Sequence, residues 1–328
     1  MTATNENASL PDAAAPAAPP GNEPIRRRAI ELGYAFAAIG AILFSTKAVA
    51  IKLAYTEPVD AATLLALRMA LSVPIYIAIG ALAIVGLRRK GAPLPTGGII
   101  IRAALVGALG YWFASYTDFL GLEYISAQFE RLILFAYPLF VVIFGAMFFH
   151  QPMRLRALAA IGVSYAGLAL IFAEKAGGGS ATIIGTVLVL SAAVAFAFYQ
   201  LLAKSIITVM GPRLFTCVAM SGAAIGAFIT FLVGHPPADL LVSQRVFGLS
   251  VFLAIGATVL PSFFLNAALH RISAQSNSAI GTVSPVVTIV LAAIFLGEAL
   301  TPAGIIGAVL VLAGVGWFTL ADRPGRRR

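Results

Sequence analysis

Six charged side chains interrupt the apolar stretches in the first half of this 328-residue chain: Lys47, Lys52, Arg68, Asp118, Glu130 and Arg131. In hydrocarbon each costs about 2.5–3.5 kcal/mol, so such groups face a partner or a wet cavity. A carboxyl group in that setting can carry a proton, and a cation can hold the anionic end of a solute. Lys47 lies about 20 Å along a helix that starts near Gly33, too deep to reach the surface easily, which makes it a candidate for cavity lining. Lys52, a turn and a half further out, is expected to extend to the outer surface. Arg68 either docks an anionic group or forms a structural pair with Asp118 or Glu130, and the pair is the expectation. Tyr111, Ser115 and Asp118 share one helical face by their spacing, with Trp112 beside it. An aromatic next to a polar row can stack on a ligand, or it can serve only in packing.

Glu130 and Arg131 are adjacent, so their side chains leave the helix about 100° apart and cannot aim at one point. Glu130, Leu134, Tyr137 and Val141 form one stripe. A second stripe of the same spacing, Asn277, Gly281, Ser284 and Thr288, is small or polar throughout. Polar stripes on membrane helices face protein, so both are expected to face a shared central cavity, with close helix packing as the alternative. Pro138 and Pro285 fall inside these two helices. Each removes a hydrogen bond and frees the carbonyl four residues back, at Leu134 and Gly281, which makes the prolines hinge candidates.

The two stripes belong to a repeat. Ser126 to Pro138 aligns without a gap on Ser273 to Pro285 at an offset of 147 residues, opening on Ser-Ala-Gln in both copies. The same offset carries Ser115 onto Ser262 and Ala166-Gly167 onto Ala313-Gly314. One unit written twice changes how everything around it is read.

The chain is 60% hydrophobic and 11% charged, with a mean hydropathy of +0.96. A soluble domain carries about 25% charge. Apolar runs near twenty residues predict membrane helices, since only helices or closed barrels satisfy the backbone in lipid and these runs are too long for barrel strands. Ten spans are expected, near 31–54, 62–85, 99–119, 126–149, 155–173, 182–204, 213–234, 248–269, 275–297 and 302–321. With the N-terminus inside, Arg26–Arg28, Arg88–Lys90, Arg102, Arg154, Arg156, Lys204, Arg213, Arg271, Arg323 and Arg326–Arg328 fall on the cytoplasmic side. Only Lys175 and Arg245 fall outside. The positive-inside bias therefore puts both termini in the cytoplasm of a cell whose inner membrane holds the chain. Five spans per copy is an odd number, so the second copy enters the membrane upside down.

The expected fold class is all-α, with ten transmembrane helices as two five-helix inverted repeats. Residues 1–28 are expected as a disordered cytoplasmic tail and not a cleavable signal, 29–173 and 182–321 as the two repeats, and 322–328 as a basic tail facing lipid headgroups. Gly222 and Gly226 predict close helix packing. Cys217 is the one cysteine and stands inside an apolar run. No phosphate-binding loop, dinucleotide fingerprint, nucleophile elbow or metal-ligand spacing is present; His150, His235 and His270 lie far apart. No enzyme activity, metal or cofactor is expected, and no nucleic-acid partner. The expected partners are a small-molecule solute and the lipid bilayer.

Gly121 to Ala127, Tyr137-Pro138, Ser284-Pro285 and Phe295-Leu296-Gly297-Glu298 resemble the EamA domain of the drug/metabolite transporter superfamily. Phe44 to Leu53 followed by Leu67-Arg68 is similar to that family's opening helix pair. The resemblance spans roughly residues 35–320 as two domains, and departs at His150-Gln151-Pro152, where the second copy has Gly297-Glu298. It implies a secondary transporter of small organic metabolites or drugs working by alternating access, with proton coupling or exchange as its energy source. Lys47, Arg68, Tyr111, Trp112, Ser115, Asp118, Glu130, Arg131, Tyr137, Asn277, Ser284 and Thr288 are the candidates for solute binding or coupling, with Glu130 first for a coupling proton. The competing reading is a membrane scaffold or membrane enzyme in which the same charges are structural pairs.

Overall fold

A computed structural model describes residues 23–149, 155–175, 179–281 and 283–321. The segment 1–22, His150-Gln151-Pro152, Arg154, Gly177-Gly178 and the basic residues from Arg323 onward lie outside the described residues. Those described are helix and connecting turn, without a strand. Seven helices among them are long and apolar enough to cross a membrane: Arg27–Ala54, Ala61–Arg89, Gly97–Tyr124, Ala127–Phe149, Gly179–Met210, Pro212–Gly234 and Gln244–Arg271. Ser284–Leu296 and Pro302–Gly314 are shorter apolar helices. Large apolar side chains such as Ile77, Leu82, Val187, Ile225 and Ile294 stand on the outer surface, as a lipid-solvated protein requires.

The first copy comprises α1 (Glu23–Ala54), α2 (Ala61–Arg89), α3 (Gly97–Gly107), α4 (Ala114–Tyr124), α5 (Ala127–Leu134), α6 (Tyr137–Phe149) and α7 (Leu155–Lys175). The second comprises α8 (Gly179–Met210), α9 (Pro212–Gly234), α10 (Gln244–Ala254), α11 (Leu260–Arg271), α12 (Ala274–Ile280), α13 (Val283–Leu296) and α14 (Pro302–Ala321). α1 begins at Glu23, upstream of the boundary expected at residue 29. Arg27 and Glu31, one turn apart, pair at 3.0 Å along its first turns. α2 starts where two acids take its orphan amide protons: Asp60 accepts from the Thr63 amide at 2.8 Å, and Glu123 from that of Ala61 at 2.9 Å.

The repeat is visible in the irregularities. α3 and α4 are joined through a π-helical turn, Ala108–Phe113, and α10 and α11 through another, Ile255–Val259. Their starts differ by the same 147 residues that relate Ser126 to Ser273. Both copies then break again, at Phe135-Ala136 between α5 and α6, and at Gly281 before α13. Ser126 and Ser273 cap the helices that lead into these breaks, accepting from the amides of Phe129 and Ser276.

Proline chemistry explains the breaks only in part. Pro138 and Pro285 sit in the first turn of α6 and α13, a position where the missing amide proton costs little. The Gly281 carbonyl is not freed as expected: it accepts from the Ser284 amide at 2.8 Å, a tighter turn that absorbs the lost bond.

The copies pack reciprocally. α1 lies on α11 and α13, and its counterpart α8 lies on α4 and α6. α3 meets α9 while α10 meets α2; α5 meets α13 while α12 meets α6. α2 with α9 and α7 with α14 close the exchange directly. Gly222 lets the backbone of α9 approach that of α3 at Ala104, and Gly226 accepts the Trp112 ring, which is the close packing their spacing predicts.

Candidate functional site

The middle of this arrangement holds a small cavity of about 40 Å³. A single water needs about 10–15 Å³ measured this way, so there is room for a few waters and not for an organic solute. α1 contributes Phe44 and Lys47, α4 Ser115 and Asp118, α5 Arg131 and Leu134, α6 Tyr137, α8 Phe196 and Gln200, and α13 Ser284. The two sequence stripes meet here: Leu134 and Tyr137 line it from one copy, Gly281 and Ser284 from the other.

The charged groups are buried almost completely. Lys47 Nζ donates to Asp118 Oδ2 at 2.6 Å and stands 4.5 Å above the Phe44 ring. Arg131 Nε is 3.7 Å from Glu130 Oε2, and Arg131 Nη2 donates to the Phe44 carbonyl at 3.4 Å. Asp118 and Glu130 are both buried beside these cations, at 1% and 0% exposure. Asp118 Oδ1 and both Glu130 oxygens have no hydrogen-bond partner among the described residues.

Arg68 departs from expectation. Its predicted partners were Asp118 and Glu130, yet its Nη2 donates to the Tyr111 carbonyl at 3.3 Å and its guanidinium stacks 4.9 Å over the Phe119 ring. The reason is a competitor on the neighbouring helix: Lys47 reaches Asp118 first. Tyr111 lies behind the cavity wall, edge-on to Tyr199, with its hydroxyl 3.3 Å from that of Tyr199. Tyr199 donates to Asn266 Oδ1 at 2.6 Å, and Asn266 Nδ2 donates to Thr216 Oγ1 at 2.9 Å. Trp112 turns away to α9, where its indole donates to Thr230 Oγ1 at 2.8 Å.

The second copy supplies hydroxyls and amides. Ser45 of α1 donates to Ser284 Oγ at 2.7 Å, and Thr288 donates to the Ser45 carbonyl at 2.9 Å. Asn277 Nδ2 donates to Gln200 Oε1 at 3.2 Å. Tyr137 donates to the Ser278 carbonyl at 3.2 Å and stands edge-on to Phe196. Of the sequence candidates, Lys47, Ser115, Asp118, Arg131, Tyr137 and Ser284 line the cavity. Glu130, Asn277 and Thr288 are buried but do not line it, Pro138 and Pro285 stand at the helix breaks, and Arg68, Tyr111 and Trp112 also stand outside the lining. Gln200, Phe44 and Phe196 were missed as site residues. Gln200, a lone amide in the apolar run of α8, was the signal available.

The arrangement can bind ions of both signs against aromatic walls. Among the described residues no group of three or more His, Cys, Asp or Glu side chains could hold a metal.

Known proteins agree with the fold and with both halves of the repeat. A solved crystal structure superposes with a TM-score of 0.65 at 18% identity, covering 90% of this chain and 99% of the other, and so shares the fold. The uncharacterized transporter YcbK of Bacillus subtilis is 30% identical over 291 residues, 84% of this chain and 88% of its own. A probable terminal-alkyne amino-acid exporter of Streptantibioticus cattleyicolor is 27% identical over 270 residues, 78% of this chain and 85% of its own. The EamA-like transporter family matches twice, over residues 31–173 and 183–320. The matches coincide with the two copies read from the 147-residue offset, and the chain belongs to the EamA-like transporter family, as a multi-pass membrane transporter of the drug/metabolite transporter superfamily.

Proposed function

We propose that this protein is a secondary transporter of small organic solutes working by alternating access in the cytoplasmic membrane. The observation that carries the reading is the buried Lys47–Asp118–Glu130–Arg131 group at a cavity walled by both copies. Charges at this depth are expensive, and a transporter site is the setting in which their cost has a use. In this reading ten spans form two inverted five-helix repeats, with both termini cytoplasmic. The reciprocal packing of α1 on α11 and α8 on α4 supports a two-fold relation. Two like halves that exchange conformations give outward-open and inward-open states of similar energy. A cavity of about 40 Å³ must widen by helix movement before a solute enters, which suits an occluded state.

The solute is amino-acid-like. Arg131 and Lys47 suit a carboxylate, Asp118 suits an ammonium, and Phe44, Phe196 and Tyr137 suit an apolar side chain. The cargo named for the Streptantibioticus cattleyicolor relative is of this class. Glu130, buried beside Arg131 and outside the lining, is the coupling acid.

Reconstitution into liposomes tests this. Efflux of a mixture of the twenty amino acids is expected to exceed that from protein-free liposomes and to respond to an imposed pH gradient. The Glu130→Gln protein is expected to transport without that response. Identical loss from protein-containing and protein-free liposomes would remove the reading. Unchanged pH dependence in Glu130→Gln would remove the coupling role. Reporter fusions at residues 173–181 and at the C-terminus are expected on opposite sides of the membrane; the same side would remove the inversion.

A further inference from the structure

Three buried cations face two buried carboxyls in the interior: Lys47, Arg68 and Arg131 against Asp118 and Glu130, none more than 2% exposed. Lys47 is matched to Asp118, and Arg131 lies nearest Glu130. Arg68 is left with a neutral carbonyl and the face of a ring. An unmatched buried charge is destabilising, so a persistent one asks for an explanation.

The geometry around Phe119 supplies one. Its ring has Arg68 Cζ at 4.9 Å and Lys47 Nζ at 5.8 Å from its centroid. Asp118 and Phe119 stand on α4, which packs against both α1, which bears Lys47, and α2, which bears Arg68. Asp118 uses one oxygen on Lys47, and its Oδ1 has no hydrogen-bond partner among the described residues; neither has Arg68 Nε.

We infer that Arg68 is the standby counter-ion of Asp118: when a solute carboxylate takes Lys47, Asp118 moves to Arg68. The inference rests on the transport reading and narrows its substrate class to solutes bearing a carboxylate. In the loaded state each cation then has one anion: Lys47 the solute, Arg68 Asp118, and Arg131 Glu130. The exchange draws α4 towards α2, which gives solute binding a mechanical consequence. Arg68 acts through Asp118 and is a positioning residue.

A double-mutant cycle on the solute-free protein in detergent tests it. Lys47→Met mimics the displaced lysine, and Arg68→Gln keeps an amide donor for the Tyr111 carbonyl while removing the charge. In the wild-type background Arg68→Gln is expected to lower Tm only slightly, because Lys47 still holds Asp118. In the Lys47→Met background the same change is expected to lower Tm by about 4 °C or more beyond the sum of the single effects. Arg68→Lys in that background is expected to restore the Lys47→Met value. Additive shifts, or no rescue by lysine, would overturn the inference and identify Arg68 as a fixture of the Tyr111 carbonyl. Should Arg68→Gln fail to fold, a crystal structure of the Lys47→Met protein decides instead. An Asp118 oxygen is expected within about 3.2 Å of an Arg68 nitrogen there. Arg68 still bonded to the Tyr111 carbonyl alone would overturn the inference. Neither test needs a solute, so their failure leaves the transport reading standing. Absence of flux would remove transport without altering the cycle.

Discussion

Lys47 and Asp118, 71 residues apart in sequence, meet at 2.6 Å with side chains 2% and 1% exposed. The contact ties α1 to α4 inside one copy and sets the charged edge of the cavity. A pair buried this deeply contributes little net stability against well-packed apolar residues, because both ions lose hydration. Breaking it from one side is another matter.

Asp118→Leu is therefore expected to destabilise the protein by about 3–5 kcal/mol, since it strands Lys47 beside an equally unmatched Arg68. Lys47→Met is expected to cost less, because Arg68, on α2 packed against α4, then takes the carboxylate. The double replacement Lys47→Met/Asp118→Leu is expected to lie near wild type. Thermal unfolding in detergent orders the three. A double variant as unstable as Asp118→Leu alone would refute the ion-pair account of this site.

Trp112 permits a cleaner discrimination. Its position beside the Tyr111–Ser115–Asp118 face allowed a ligand-stacking role, yet its indole is bonded to Thr230 and rests on Gly226. Trp112→Phe is expected to leave the KM for transport within about twofold of wild type, while lowering stability by about 1 kcal/mol for the lost hydrogen bond. A tenfold rise in KM with unchanged stability would return the indole to the solute site.

The repeat was legible because Ser-Ala-Gln and the prolines recur at a fixed interval and specify caps and helix breaks. The membrane class was legible from the length of the apolar runs. The stripes were legible in part: Leu134, Tyr137, Gly281 and Ser284 line one cavity, whereas Glu130, Val141, Asn277 and Thr288 are buried outside its lining, because each stripe crosses a helix break. Partner choice was not legible. Whether Asp118 meets Lys47 or Arg68 depends on how three helices cross, and sequence spacing carries no information about that. The π-helical turns at Ala108–Phe113 and Ile255–Val259 also had no signal, because neither stretch is marked by a single shared breaker residue.

Gly110 sits in the first of those turns, where a Cβ would collide with the Tyr199 ring. Gly110→Ala is expected to cost about 1–3 kcal/mol by overpacking and to disturb the Tyr199–Asn266 bond behind the cavity. Gly86→Ala is the control: nothing lies within 4 Å of its Cβ position, and helical alanine there is expected to stabilise by about 0.4–1 kcal/mol. Equal effects at the two positions in a denaturation series would contradict the close approach of α8 at Gly110.

Glu298 gives the Phe295-Leu296-Gly297-Glu298 stretch a physical role. Gly297 adopts a positive φ of 65° just after α13, a conformation that favours glycine and turns the chain back. Glu298 then accepts from the Ala127 amide at 2.8 Å and the Gln128 amide at 3.0 Å, and its own carbonyl accepts from Gln128 Nε2 at 3.2 Å. An acid from the second copy thus caps α5 of the first, the helix that carries Glu130 and Arg131. Glu298→Ala is expected to lose about 1–2 kcal/mol of capping, and Glu298→Gln less, because its carbonyl oxygen still accepts one amide. Hydrogen exchange localises the effect: the amides of residues 127–134 are expected to exchange faster in Glu298→Ala, while those of α9 remain as in wild type. Uniform acceleration across both copies would mean that the residue supports the fold at large and not the cap on α5.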